Sequence, residues 1–80
     1  MSAGYLQAAM NHAVYEKAED GTYFGSVPGF QGVIANEATL EATRSELLDV
    51  LEGWVLLGIS LHHELPVVDG AILNVPDIAF

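Results

Sequence analysis

The chain has 80 residues, no Cys, and 2 basic against 11 acidic residues, for a net charge of −9. That length suits one small domain, and the absence of Cys excludes disulfides and thiolate zinc sites. The two cations, Lys17 and Arg44, are too few for the counterion release that drives nucleic-acid binding, or for attraction to an anionic membrane.

A basic protein partner suits this charge, although acidity also serves solubility by itself. The chain is 51% hydrophobic, yet a domain of this size hides only about 60% of its unfolded surface. Some of the apolar surface is therefore expected to meet another subunit, the usual way a small scaffold without disulfides or metal completes its core. Residues 1–10 lack the basic and apolar regions of a signal peptide, and no run approaches the ~20 apolar residues that span a bilayer. A cytoplasmic protein is expected.

Residues 3–11 (AGYLQAAMN) permit a short helix, with Tyr5, Ala8, Ala9 and His12 on one face. The pattern then turns strand-like around Val14 and Tyr15. Glu19-Asp20-Gly21 signals a tight hairpin, and residues 22–27 (TYFGSV) read as the second strand. Tyr23, Gly25 and Val27 face one way, with Thr22, Phe24 and Ser26 facing the other. Pro28 cannot donate to a ladder and ends that strand. The bend PGFQG follows, with Phe30 its expected buried plug. Residues 32–36 (GVIAN) read as a third strand, and three strands on short turns imply an antiparallel meander.

Thr39 suits a helix N-cap, with Glu41 in the first turn. The helix is expected to run to about Ile59. Leu40, Leu47, Leu51, Trp54, Val55 and Gly58 form its apolar stripe, and Glu41, Ser45, Glu46, Asp49 and Glu52 its polar face. Residues 54–61 (WVLLGISL) are apolar all round, more than a single small sheet covers. Trp54, Val55, Leu57, Ile59 and Leu61 are therefore expected at the interface of a homo-oligomer, a dimer or tetramer. Residues 62–70 read as a loop, 71–75 (AILNV) as a fourth strand, and 76–80 as a tail. The expected fold is α+β in the order α-β-β-β-α-β: a three-stranded meander plus a fourth strand, packed on one long helix.

Asp20, Gly21, Tyr23, Val27, Pro28, Gly32, Thr39, Glu41 and Ala42 together form a pattern. It comprises a hairpin ending in Pro, a P-x-x-x-G connection, a third strand, and a helix opening T-x-E-A. In this the chain resembles the HicB-like antitoxin family over residues 12–75. The family connection usually reads Pro-Asp-Leu-Pro-Gly-Cys; here it is Pro28-Gly29-Phe30-Gln31-Gly32-Val33, and Glu37-Ala38 stand where the family has Gly-Asp. The resemblance implies a partial RNase H-like core in a single domain over 1–80, with 1–11 as a helical extension. It looks like a short stand-alone form without the DNA-binding domain that many family members append.

What the resemblance implies for function is a non-catalytic antitoxin. It would bind and neutralise a small basic HicA-type toxin, an mRNA interferase with a double-stranded-RNA-binding fold. Glu19 and Asp20 of the hairpin and Glu46, Asp49 and Glu52 of the helix are the candidate partner contacts. The alternative is a homo-oligomeric structural or regulatory module without a toxin.

No cofactor or metal site is expected. Glu16, Glu19, Asp20, Glu37 and Glu41 could in principle serve two-metal nuclease chemistry, but most of this acidity reads as solvated surface. His62 and His63 are adjacent, and on an extended segment they would point apart, so they read as loop polarity. No phosphate loop or nucleophile elbow occurs. Tyr23 and Phe24 could stack bases, but the charge opposes that role.

Overall fold

The computed structural model describes residues 3–68. The elements run α1 (Ala3–Asn11), β1 (Val14–Lys17), β2 (Tyr23–Ser26), β3 (Ile34–Glu37) and α2 (Leu40–Ser60). The strands form one antiparallel sheet in the order β1-β2-β3, an α+β fold with the expected helix–meander–helix order. The expected fourth strand over 71–75 and the tail lie outside the described residues.

The β1–β2 hairpin closes through Ala18 N–H to Thr22 C=O at 2.7 Å and Gly21 N–H to Ala18 C=O at 3.0 Å. This is the three-residue hairpin form, with Gly21 at the left-handed position (φ 88°). The PGFQG segment is two consecutive turns. Phe30 N–H donates to Val27 C=O and Val33 N–H donates to Phe30 C=O, both at 3.1 Å. Gly29 and Gly32 take φ of 88° and 85° there, a conformation that side chains with a Cβ resist. The two turns fold Phe30 inward to 4% exposure. Its ring meets Tyr5 edge-on at 6.3 Å and Trp54 edge-on at 5.1 Å, so one loop aromatic joins both helices.

The β1–β2 pairing sets Tyr15 opposite Gly25, and the β2–β3 pairing sets Gly25 opposite Ala35. This row faces α2. A Cβ on Gly25 would lie 3.0 Å from the Tyr15 ring and 3.1 Å from Thr43 Cγ2, so the missing side chain lets the helix settle on the sheet. The Tyr15 hydroxyl is buried here without a hydrogen-bond partner among the described residues.

The buried side of α2 is Thr43, Leu47, Leu51, Val55 and Gly58. Leu40, expected in that stripe, is 46% exposed, and Thr43 at 0% takes the place over the sheet. The Thr43 hydroxyl lies 2.8 Å from Thr39 C=O and 3.0 Å from Tyr23 C=O, and accepts from Glu37 N–H at 3.2 Å. Leucine could not satisfy these strand and helix-start groups. Thr39 is the N-cap as expected, its hydroxyl accepting from Ala42 N–H at 3.1 Å.

Beyond α2 the chain returns toward α1. The Tyr5 hydroxyl donates to the Pro66 carbonyl, burial pushes that phenol's pKa above its ordinary value, and Val68 is part of the core. The helix ends in a paired cap: His62 N–H donates to Ile59 C=O at 3.1 Å and His63 N–H to Gly58 C=O at 2.8 Å. In this motif the first residue past the cap is left-handed and usually glycine. Here it is His62, with φ 60°.

Three substitutions test the Thr43 contacts and the helix cap. Thr43→Val takes away the acceptor of Glu37 N–H and is expected to destabilise by about 2 kcal/mol. Thr43→Ser, which keeps the hydroxyl, is expected to cost about half as much. His62→Gly removes the left-handed strain and is expected to stabilise by about 0.5–1 kcal/mol. Urea unfolding midpoints at unchanged m-value measure all three.

Candidate functional site

The carboxylates singled out in the sequence fall on two separate surfaces. Glu19 and Asp20 sit exposed at the hairpin tip, and Glu46 and Asp49 lie exposed on the side of α2 turned away from its buried residues. Glu52 is half-buried. With Arg44, Leu6, Gln7, Met10 and Leu48 it lines a cleft of about 250 Å³ between α1 and α2.

Asp20 is part of the hairpin's own bonding. Its Oδ1 accepts from the Thr22 hydroxyl at 2.6 Å and from Thr22 N–H at 3.0 Å. The Asn36 amide then donates to the Thr22 hydroxyl at 2.9 Å and to Tyr23 C=O at 3.0 Å. This chain of bonds ties the tip to β3. Glu19 has no such duty in the turn and is the more available charge for a partner.

The residues expected at an oligomer interface divide between the core and the surface. Val55 is 0% exposed, Trp54 packs on Phe30, and Ile59 is partly buried against the same core. Val55 therefore presents no surface to a neighbour, because the Phe30 loop and the sheet already cover that side of the helix. Leu57 at 59% and Leu61 at 52% are exposed, joined by Leu56 at 55%.

A second apolar surface escaped the sequence analysis. Val14 (51%), Phe24 (42%) and Ile34 (50%) are exposed on the sheet face opposite α2. The register aligns Val14, Ser26 and Ile34 in one row and Glu16, Phe24 and Asn36 in the next, so the apolar centre borders the Glu16 carboxylate. The signal was present in Val14 and Ile34, β-branched residues one step out of phase with the buried positions.

The charge pattern leaves little for anions. Lys17 Nζ lies 5.9 Å from the centroid of the Tyr23 ring, a cation–π distance. Among the described residues no three His, Asp or Glu side chains come together in an arrangement that could hold a metal. His62 is not on an extended segment, as its left-handed cap position shows, and His63 lines a recess of about 260 Å³ with Trp54, Leu57, Gly58 and Glu64. Among the described residues no helix is long and apolar enough to cross a membrane.

The hairpin bonds have a measurable consequence. Hydrogen bonds from the Thr22 hydroxyl, and then from its N–H, hold the Asp20 carboxyl below its ordinary value of 3.8. A carboxyl depressed in the folded state stabilises the fold above its unfolded pKa, and that contribution is lost as pH falls through the folded value. Thr22→Val is expected to move the Asp20 titration, followed by carboxyl carbon NMR, back toward 3.8, and to shrink the loss of stability below that pH.

The same architecture occurs in a solved protein. A crystal structure of TTHA0281 from Thermus thermophilus is similar to this chain with a TM-score of 0.85 and 31% identity, over 91% of each chain. No curated protein matches it. A model of the UPF0150-like family matches residues 4–66, which takes in the meander, its glycine turns, the Thr39 cap and all of α2. The chain therefore belongs to the UPF0150-like family, a HicB-like family.

Proposed function

We propose that this chain is an antitoxin core: a non-catalytic binding protein that captures a small basic HicA-type mRNA interferase in the cytoplasm and covers its RNA-facing surface, including its catalytic His. The observation that carries the reading is the pairing of net charge −9 with an exposed apolar sheet face bordered by the Glu16 carboxylate. An RNA-binding toxin presents cations, and opposite potentials speed encounter and reject wrong partners. The apolar row Val14, Phe24 and Ile34 offers the desolvated centre that long-lived complexes need. Glu19 with Asp20, and Glu46, Asp49 and Glu52, supply the field on two sides. With Lys17 over Tyr23, only Arg44 remains to face a phosphate backbone, which disfavours direct RNA binding.

A second reading draws on the exposed Leu56, Leu57 and Leu61: a homo-oligomeric structural or regulatory module without a toxin. Co-expression with the product of the adjacent reading frame separates the two. Under the antitoxin reading, a small basic protein co-purifies and its mRNA cleavage stops in the complex. Glu19→Lys combined with Glu46→Lys is then expected to lower the association rate about tenfold at low ionic strength, with the difference shrinking as salt rises. Phe24→Ala is expected to speed dissociation. A purified toxin that cleaves RNA equally well with and without the chain sinks the antitoxin reading.

A further inference from the structure

The chain turns back as soon as α2 ends. His62 N–H and His63 N–H donate to the Ile59 and Gly58 carbonyls, which holds the following loop against the helix end. Gly58 lets that loop close down. A Cβ there would lie 2.9 Å from Leu65 Cδ2, and Leu65 packs against the core beside it. Trp54, Leu57 and Gly58 lie at i, i+3 and i+4, on one face of the helix. The returning loop brings His63 and Glu64 to the same face, and the five residues line a recess of about 260 Å³. That is less than the roughly 300–1,000 Å³ of small-molecule sites and suits one inserted side chain.

Three independent features make the recess attractive to a cation. The Glu64 carboxylate is exposed at it, while both cations of the chain are placed elsewhere: Lys17 over the Tyr23 ring and Arg44 in the cleft between α1 and α2. The last turn of α2 holds no basic residue, and no Lys or Arg occurs after Arg44. The partial negative charge of the helix end therefore lacks a cationic side chain. Trp54 contributes an indole, the aromatic group that attracts cations best. Phe30 meets that ring edge-on at 5.1 Å and steadies it from the core side.

We propose that this recess receives an arginine side chain presented by a basic protein partner. The planar guanidinium lies on Trp54, its N–H fork donates to the Glu64 carboxylate, and its aliphatic stem covers Leu57. Lysine lacks the planar fork and holds its water more strongly. An apolar side chain would leave Glu64 without a partner, and an anion is repelled by Glu64 and by a net charge of −9. The inference deepens the antitoxin reading and rests on it for the partner's basic character. It adds a contact at the end of α2, apart from the outer sheet face.

Trp54 is the chain's only tryptophan, so its fluorescence reports on the recess directly. The probe is N-acetyl-arginine amide, titrated into the full chain, with a Kd of about 1–10 mM expected for one side chain. The uncharged citrulline derivative is expected to bind about tenfold more weakly, and the lysine derivative to fall between. Free L-arginine, which carries an α-carboxylate, is expected to bind more weakly than its capped form. Glu64→Gln keeps the size of the side chain and removes its charge. It is expected to abolish the preference for arginine over citrulline, with circular dichroism unchanged. No saturable change, equal binding of the citrulline or norleucine derivative, tighter binding of free L-arginine, or a preference that survives Glu64→Gln each overturn the proposal. The probe needs no toxin, so failure of the antitoxin reading leaves this result standing. Failure here leaves the sheet face as that reading's surface.

Discussion

The hydroxyl of Thr43 occupies the point where three elements meet. It accepts from Glu37 N–H at the end of β3 and lies within hydrogen-bonding distance of carbonyls in β2 and at the start of α2. An α2 that carried only hydrocarbon on this side would leave the Glu37 N–H without its acceptor, at a cost comparable to a lost hydrogen bond. The fold instead fixes the height of the helix start over the sheet by polar contact and fills the rest with Leu47, Leu51 and Val55, each 0% exposed. Gly25 completes the arrangement from below, since the Thr43 methyl rests close to where a Cβ at that glycine would be. The direction of α2, and hence which of its residues meet solvent, follows from that anchor.

Once the helix is set, the surfaces follow. One side of α2 packs on the sheet and the Phe30 loop, so Val55 belongs to the interior and Trp54 is half-buried, although they open the most apolar stretch of the sequence. The opposite side carries Glu46, Asp49, Leu56 and Leu57. The sheet, covered by α2 on one face, turns Val14, Phe24 and Ile34 outward on the other. Among the described residues one helix is long enough to cover a sheet, and no element lies over the second face. Apolar residues on both leftover faces are a consequence of size as much as of use.

The meander, its turns, the Thr39 cap and the long helix were all legible from local chemistry: alternating strands, Asp20-Gly21, Pro28 with its glycines, and a threonine before an apolar period. Thr43 was not. A threonine inside a helical pattern reads as polar filler until the groups it satisfies, 4 to 20 positions earlier in the chain, are placed beside it. Val55 falls both in the helix's packing stripe and in the expected interface, because helical periodicity says that a residue is apolar without saying which neighbour covers it. His62 was hidden for a different reason, since a left-handed cap is signalled by glycine and this helix uses histidine. The outer apolar row depended on strand register, which the turns set and the strand residues alone do not.

The bond from the Tyr5 hydroxyl to the Pro66 carbonyl spans 61 positions of the chain. Contacts of such separation close the largest loops and so tend to form late. The meander and α2 are joined by much shorter connections and can associate before that latch exists. The N-terminal helix thus acts as a clasp, whose loss accelerates opening of the native state more than it slows its assembly. Protection of α1 amides against solvent exchange would then report on the clasp, while the amides of β2 report on the whole molecule.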